Sequence, residues 1–178
     1  MNFIETEFQG LYLIELTILK DERGLFARTY CKNEFEKINF HKEFVQMNFS
    51  FNIRKGTFRG LHFQAPPYEE TKLIRCSSGK VFDIALDLRK DSATFLKYFS
   101  CELSQENRMM VLIPEGFAHG FITLEDNSEL VYSHTQFYNP FADRGVRYND
   151  ESLDIKLPVA ITSISEKDKN YPPLKQTL

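Results

Sequence analysis

Two short stretches of this chain gather side chains that can move protons or hold anions. The first, TFRGLHFQ over residues 57–64, sets Arg59 and His62 on either side of Gly60 and Leu61. An imidazole takes up a proton near neutral pH, and a guanidinium grips a carboxylate or phosphate through two parallel N–H bonds. The second, PEGFAHGF over 114–121, carries His119 in a largely apolar run with two glycines. A lone histidine is more often structural than catalytic, so neither stretch makes a site by itself. The first also has a geometric difficulty, because on a regular strand Arg59 and His62 have opposite parity and face opposite sides. They share a face only if Gly60 marks a bulge, a recognised use of glycine within a strand.

The elements that must carry these residues are mainly strands. Segments rich in β-branched and aromatic residues recur at Leu11 to Leu19, Leu25 to Cys31, Phe44 to Asn52, Thr57 to Gln64, Lys72 to Cys76, Val81 to Leu88, Met109 to Ile113, Phe117 to Leu124 and Glu129 to Tyr138. Turn signals bound them at intervals suited to a sandwich or barrel. One helix start stands out, at Asn33, where Glu36 can complete a capping box. Beyond Asp150 the pattern weakens, and Pro158, Pro172 and Pro173 mark a tail expected to be mostly loop. Within Phe44 to Asn52 one face carries Val45, Met47, Phe49 and Phe51, and the other Phe44, Gln46, Asn48, Ser50 and Asn52. In Glu129 to Tyr138 one parity holds Leu130, Tyr132, His134, Gln136 and Tyr138. These faces predict an all-β fold, a small barrel with a polar-lined cavity and a few short peripheral helices.

Composition narrows the classes. With 178 residues and 42% hydrophobic content, one domain over 1–178 is the expectation. A net charge of -3, spread along the chain, gives no sequence-independent hold on a nucleic-acid backbone. No apolar stretch approaches the roughly 20 residues that span a bilayer, and the N-terminus lacks a basic flank before an apolar run, so a soluble cytoplasmic protein is expected. Three cysteines without CxxC spacing suggest neither a disulfide framework nor a zinc knuckle. There are 17 Phe and 8 Tyr but no Trp, which supplies core volume and rings for a flat ligand.

RGLHFQ at 59–64, KLIRCSSGKVFDIALDLRKDSATF at 72–95, IPEGFAHGF at 113–121 and VYSHTQFYNP at 131–140 resemble successive signatures of the dTDP-4-dehydrorhamnose 3,5-epimerase family. DERGLF at 21–26, QMNFS at 46–50, YND at 148–150 and SEKD at 165–168 extend the resemblance nearly end to end. It implies a cupin jelly roll, a homodimer, neither cofactor nor metal, and epimerisation of a nucleotide-linked 4-keto-6-deoxyhexose in deoxysugar biosynthesis. A ketone at C4 acidifies the hydrogens at C3 and C5, so such an enzyme needs a base, a charge for the enolate oxygen, and a donor on the opposite face. By the resemblance His62 is the base, Asp168 its partner, Lys72 the cation and Tyr132 the acid. Arg59, Arg23 and Lys167 become candidates for the phosphates or sugar, and Gln46, Asn48, His119, Tyr138, Asp143 and Phe26 line the pocket. Arg23 and Phe26 are implied to act across the dimer interface.

The chain also departs from the family. Arg28 stands where Glu is common, Tyr148 and Leu157 where Trp is frequent, and Asp143 where Glu is common, so the nucleotide and the number of inverted centres stay open. A 3- or 5-epimerase on another nucleotide sugar is the alternative within enzymes. A metal-dependent cupin is disfavoured because His62, Phe63, Gln64 lacks the HxH pair that such a site needs. A sugar-binding cupin without catalysis is the alternative of another class.

Overall fold

A computed structural model describes residues 1–177 of the chain. Along it run β1 (Asn2–Glu5), β2 (Tyr12–Glu15), β3 (Ile18–Asp21), β4 (Gly24–Ala27), helix α1 (Lys32–Phe35), β5 (Gln46–Asn52), β6 (Thr57–Gln64) and β7 (Lys72–Ser78). There follow β8 (Lys80–Asp87), β9 (Tyr98–Ser104), β10 (Met110–Ile113), β11 (Phe117–Thr123), β12 (Ser128–His134), β13 (Asp143–Gly145), β14 (Ser163–Ile164), and the helical turns α2 (Glu166–Lys169) and α3 (Leu174–Thr177). The fold is therefore mainly β with short peripheral helices. No helix among the described residues is long and apolar enough to cross a membrane.

One antiparallel sheet has the order β1-β2-β10-β7-β12-β5, and the second runs β13-β6-β11-β8-β9 with β14 added in parallel to β6. Strands β3 and β4 form a separate hairpin. Each large sheet keeps open edges, so the barrel expected from the strand pattern is met here by two sheets rather than by a closed ring of strands.

Three apolar clusters show which face of each sheet is covered. Between the sheets lie Ile74, Cys76, Val81, Ala85, Leu103, Val111, Ile113, Phe121 and Leu130. On the far side of the second sheet, Phe58, Leu61, Ile84, Leu86 and Ala118 pack under tail residues Leu153, Ile155, Leu157, Val159, Ile161 and Leu174. The tail, expected to be mostly loop, is mostly irregular apart from β14, α2 and α3, and its apolar side chains cover the sheet without a repeating period. On the far side of the first sheet, Ile14, Leu73, Met110 and Leu112 pack with Phe35 of α1. That helix begins two residues earlier than expected: Cys31 is its N-cap without a side-chain hydrogen bond, so Asn33 does not cap it.

Strand β5 inverts the usual arrangement. Its apolar residues Met47 and Phe49 are 69% and 72% exposed, while of its polar residues Asn52 is buried and Gln46 and Ser50 are half-buried. The inward polar parity of β5 meets Tyr132 and His134 of β12, registered opposite Asn48 and Gln46. A half-polar cavity between sheets results.

Candidate active site

The cavity occupies about 370 Å³ and is lined by residues of both sheets. From β6 come Arg59, His62 and Gln64; from β11, His119 and Phe121; from β5, Asn48, Phe49 and Ser50; and from the β7–β12 pair, Lys72, Tyr132 and His134. Phe63, Glu70, Tyr138, Asp143 and Lys167 complete the lining.

The parity conflict between Arg59 and His62 is resolved at Gly60. On β11, His119 pairs with His62 and Phe121 with Arg59, so three steps along β6 match two along β11. The extra residue is a bulge, and it returns Arg59 and His62 to the same face. Gly60 sits at φ +123, and a Cβ there would lie 2.5 Å from the Cα of Gly120. Only glycine fits at this approach. The bulge also turns the Gly60 N–H out of the ladder, where it donates to Oδ2 of Asp168 at 3.2 Å. The other oxygen of Asp168 lies 2.7 Å from Nε2 of His62. Asp168 is itself fixed by the turn that bears it, since its backbone N–H donates to Oγ of Ser165 at 3.0 Å. Serine at the cap with a carboxylate three residues on is a helix-start signature, here at SEKD. Burial pushes the Asp168 carboxyl upward, but the His62 hydrogen bond and charge, with the Gly60 and Ser165 contacts, hold it below the ordinary value. It stays ionised beside the imidazole.

Lys72 is buried, with its ammonium 3.3 Å from the backbone oxygen of His62 and 3.3 Å from Oε1 of Glu70. Tyr132 reaches the cavity from the opposing sheet, edge-on to His119 with ring centroids at 5.9 Å and stacked over His134 at 6.0 Å. Burial, joined by the Asp83 charge and opposed by Arg59 and Ser50, pushes its hydroxyl far above the ordinary tyrosine value. It remains a proton donor at any working pH. His119 bonds Asp83 at 2.8 Å, and both are buried. Burial lowers the His119 pKa despite that carboxylate, while Lys72 and His62 add to the lowering.

Nine of the residues singled out by sequence therefore line one cavity: His62, Lys72, Tyr132, Asn48, Arg59, His119, Tyr138, Asp143 and Lys167. Asp168 lies behind His62. At the mouth the Tyr138 hydroxyl donates to Asp143 at 3.1 Å, and Lys167 is ion-paired with the same carboxylate, which raises the lysine's pKa. Gln46 points to the mouth loop instead, accepting the Tyr138 N–H at 3.0 Å. Arg59 is braced by Oδ1 of Asn52 at 2.7 Å. Arg23 and Phe26 are not brought to this cavity within the chain: both lie on the β3–β4 hairpin, Arg23 bound to Asp21 and Phe26 exposed.

Sequence reasoning passed over several contributors. Gln64 holds the two loops around the mouth, donating to the Tyr68 and Phe137 oxygens and accepting from Asn139. Tyr171 stands edge-on to His62 at 5.9 Å, in space that Gly145 alone leaves open, since a Cβ there would be 2.1 Å from the ring. Glu70 and His134 form a 2.7 Å pair inside the cavity. His134 shared its parity with Tyr132, but Glu70 lies in a turn where periodicity says nothing.

The sequence model of dTDP-4-dehydrorhamnose 3,5-epimerase matches residues 5–176. A dTDP-4-dehydrorhamnose 3,5-epimerase of Shigella flexneri is 44% identical over 171 residues, covering 96% of this chain and 94% of its own. Among solved structures, the dTDP-4-dehydrorhamnose 3,5-epimerase of Bacillus anthracis, with TDP and PPi bound, superposes with a TM-score of 0.94 at 40% identity, covering 97% of this chain and 99% of that one. The dTDP-6-deoxy-D-glucose-3,5-epimerase of Legionella pneumophila, in complex with dTDP-4-keto-L-rhamnose, gives 0.92 at 36%, covering 98% and 93%. The chain belongs to the dTDP-4-dehydrorhamnose 3,5-epimerase family and is an enzyme of the nucleotide-sugar epimerase class.

Proposed function

We propose that this family member inverts C3, C5 or both of its sugar by moving a proton through His62. It is an epimerase of dTDP-linked 4-keto-6-deoxyhexoses. The observation that carries the mechanism is the disposition of groups: His62 stands on the second sheet with Asp168 docked behind it from the α2 turn, and Tyr132 enters the same cavity from the first sheet. Inversion needs removal from one face of a carbon and delivery to the other. Asp168 accepts the Nε2–H of His62, which leaves Nδ1 to take the proton beside the ketone. The C–H electrons move into the carbonyl, and the resulting enolate oxygen is stabilised by the Lys72 ammonium, whose charge counts most inside a shielded cavity. Tyr132 then delivers its hydroxyl proton from the far side and is left as a phenolate, while the imidazolium is balanced by Asp168; between turnovers His62 gives its proton to solvent and Tyr132 takes one back.

Arg59 and Lys167 are the cations for the diphosphate. Asn48, His119 and Tyr138 offer donors, acceptors and a ring to the sugar or base, with Asp143 setting Tyr138 and Gln46 its backbone. The two facing antiparallel sheets support a cupin-type jelly roll, with 1–178 as one epimerase domain. The exposed Met47, Phe49 and Phe51 on edge strand β5 support a homodimer, in which the hairpin bearing Arg23 and Phe26 reaches the neighbour's cavity. A monomer at micromolar concentration in the ultracentrifuge removes that part of the reading.

Arg28 is bound to Glu34 at 2.9 Å, and Glu34 also holds the N-terminal ammonium at 2.7 Å, so the position where the family commonly carries Glu differs in charge and is already engaged. The test is therefore a panel of dTDP-, CDP- and GDP-linked 4-keto-6-deoxyhexoses in heavy water, read by mass spectrometry and NMR. Deuterium at C3, C5 or both of the dTDP sugar is expected. No label in any of them sinks the mechanism, and label at one carbon alone makes the enzyme a mono-epimerase.

A further inference from the structure

The mechanism leaves unused a largely buried ionisable pair, Glu70 and His134, that touches its cation. Glu70 precedes β7 by two residues, and the ladder is extended past Lys72 to hold it: Thr71 donates its N–H to Oγ1 of Thr135 at 2.8 Å, and the Thr135 N–H donates to the Thr71 oxygen at 3.1 Å. From this fixed position Oε1 faces Lys72 at 3.3 Å and Oε2 faces Nδ1 of His134 at 2.7 Å. His134 is registered directly opposite Lys72 on β12, so the three side chains rise from adjacent backbone. The far nitrogen of His134 meets the amide nitrogen of Asn48 at 3.3 Å. Both ring nitrogens of His134 are thus engaged, Nδ1 with Glu70 and Nε2 with the Asn48 amide, which holds the ring in place. Burial pushes the Glu70 carboxyl up, but the His134 and Lys72 contacts more than offset this and keep it ionised.

We propose that Glu70, locked by His134, is a positioning residue that fixes the Lys72 ammonium where the enolate oxygen forms. Two of the ammonium's three N–H groups are aimed at acceptors, Glu70 and the His62 oxygen, and the third has no protein acceptor among the described residues. That third donor points the charge at the substrate. Stability gives little reason to keep such a pair, because replacing a buried ion pair with apolar groups is often neutral or stabilising. An unanchored lysine has four rotatable bonds and spreads its charge over many places, whereas the two-point anchor holds it in one. His134 acts one step further out, by denying Glu70 any rotamer that releases Lys72.

This rests on the epimerase reading above, and the experiment separates the two. Solvent-deuterium exchange into the dTDP-4-keto sugar is measured for wild type, Glu70→Gln, Lys72→Met and the double variant, with dTDP affinity followed alongside. A wild type that exchanges nothing overturns the epimerase reading and this inference with it. If wild type exchanges, Glu70→Gln is expected to slow exchange by about 10- to 100-fold, as loss of a hydrogen bond to a charged group does. Its dTDP affinity should stay within about twofold, and in the Lys72→Met background it should change exchange by less than about twofold. A purely structural Glu70 gives the same loss in both backgrounds, and that result, or no loss in either, overturns the proposal. Should Glu70→Gln fail to fold, His134→Gln replaces it in the same cycle, with about a 3- to 10-fold loss expected that again disappears with Lys72.

Discussion

His62 and His119 stand opposite one another on neighbouring strands, and each bonds a carboxylate at nearly the same distance, 2.7 Å to Asp168 and 2.8 Å to Asp83. Their surroundings differ. The His62 side chain is 37% exposed and faces the cavity, whereas that of His119 is 6% exposed. Asp83 lies on β8, beside β11, so the His119 pair is internal to the sheet. Asp168 arrives from a separate helical turn and fills the gap that the Gly60 bulge leaves in β6. A histidine–carboxylate pair is thus not in itself a base. Burial lowers the His119 pKa, whereas the His62 ring opens on the cavity, where a substrate can reach it.

The comparison breaks most decisively at His62. His62→Ala is expected to reduce deuterium exchange by about 10²- to 10⁴-fold, the usual contribution of a general base, with dTDP binding retained. An unchanged rate moves the base elsewhere. Asp168→Asn keeps the shape but not the charge, and about a 10- to 100-fold loss should follow in turnover rather than in KM. A rise in KM alone means that Asp168 holds the fold of the site and not its base. His119→Gln should shift KM by a few-fold and kcat by less than about threefold; a larger kcat loss places His119 in the proton path.

The two pairs also separate by pH. The pKa of His119 is lowered in the folded protein, so the unfolded chain takes the proton first, and stability falls as pH drops from about 6.5 towards that lowered value. Asp168 is lowered in the folded protein too, but its contribution is intact above the unfolded carboxylate value of about 4 and is lost only below it. Urea unfolding between pH 7 and 5 should therefore lose slope in His119→Gln and keep it in Asp168→Asn. Equal slopes in wild type and His119→Gln contradict a neutral, buried His119.

Much of this arrangement is written in local pattern. Alternation in β5, β6, β8 and β12 identifies strands, and Thr57–Gln64 coincides with β6 end to end. Alternation cannot say which face is inside: in β8 the apolar parity of Ile84 and Leu86 looks out to the tail, and the parity of Asp83 looks in. The bulge at Gly60 was legible as the only way to reconcile Arg59 with His62. The delivery of Asp168 was not, although Ser165 and Asp168 carry a cap signature, because where a capped turn docks depends on contacts 106 residues away. Glu70 was silent for the same reason. Its role depends on His134, 64 residues on, and no period connects a turn to a strand.

Imidazole rescue tests the central claim most directly, because it asks whether the group missing at position 62 is a base and nothing more. In heavy water with the dTDP-4-keto sugar, added imidazole should restore exchange to His62→Ala in proportion to its neutral form, entering the space the open side chain vacates. It should do nothing for His119→Ala. Exchange in His62→Ala that stays flat as imidazole is raised, while His119→Ala recovers, would contradict the assignment of the open pair as the proton-moving one.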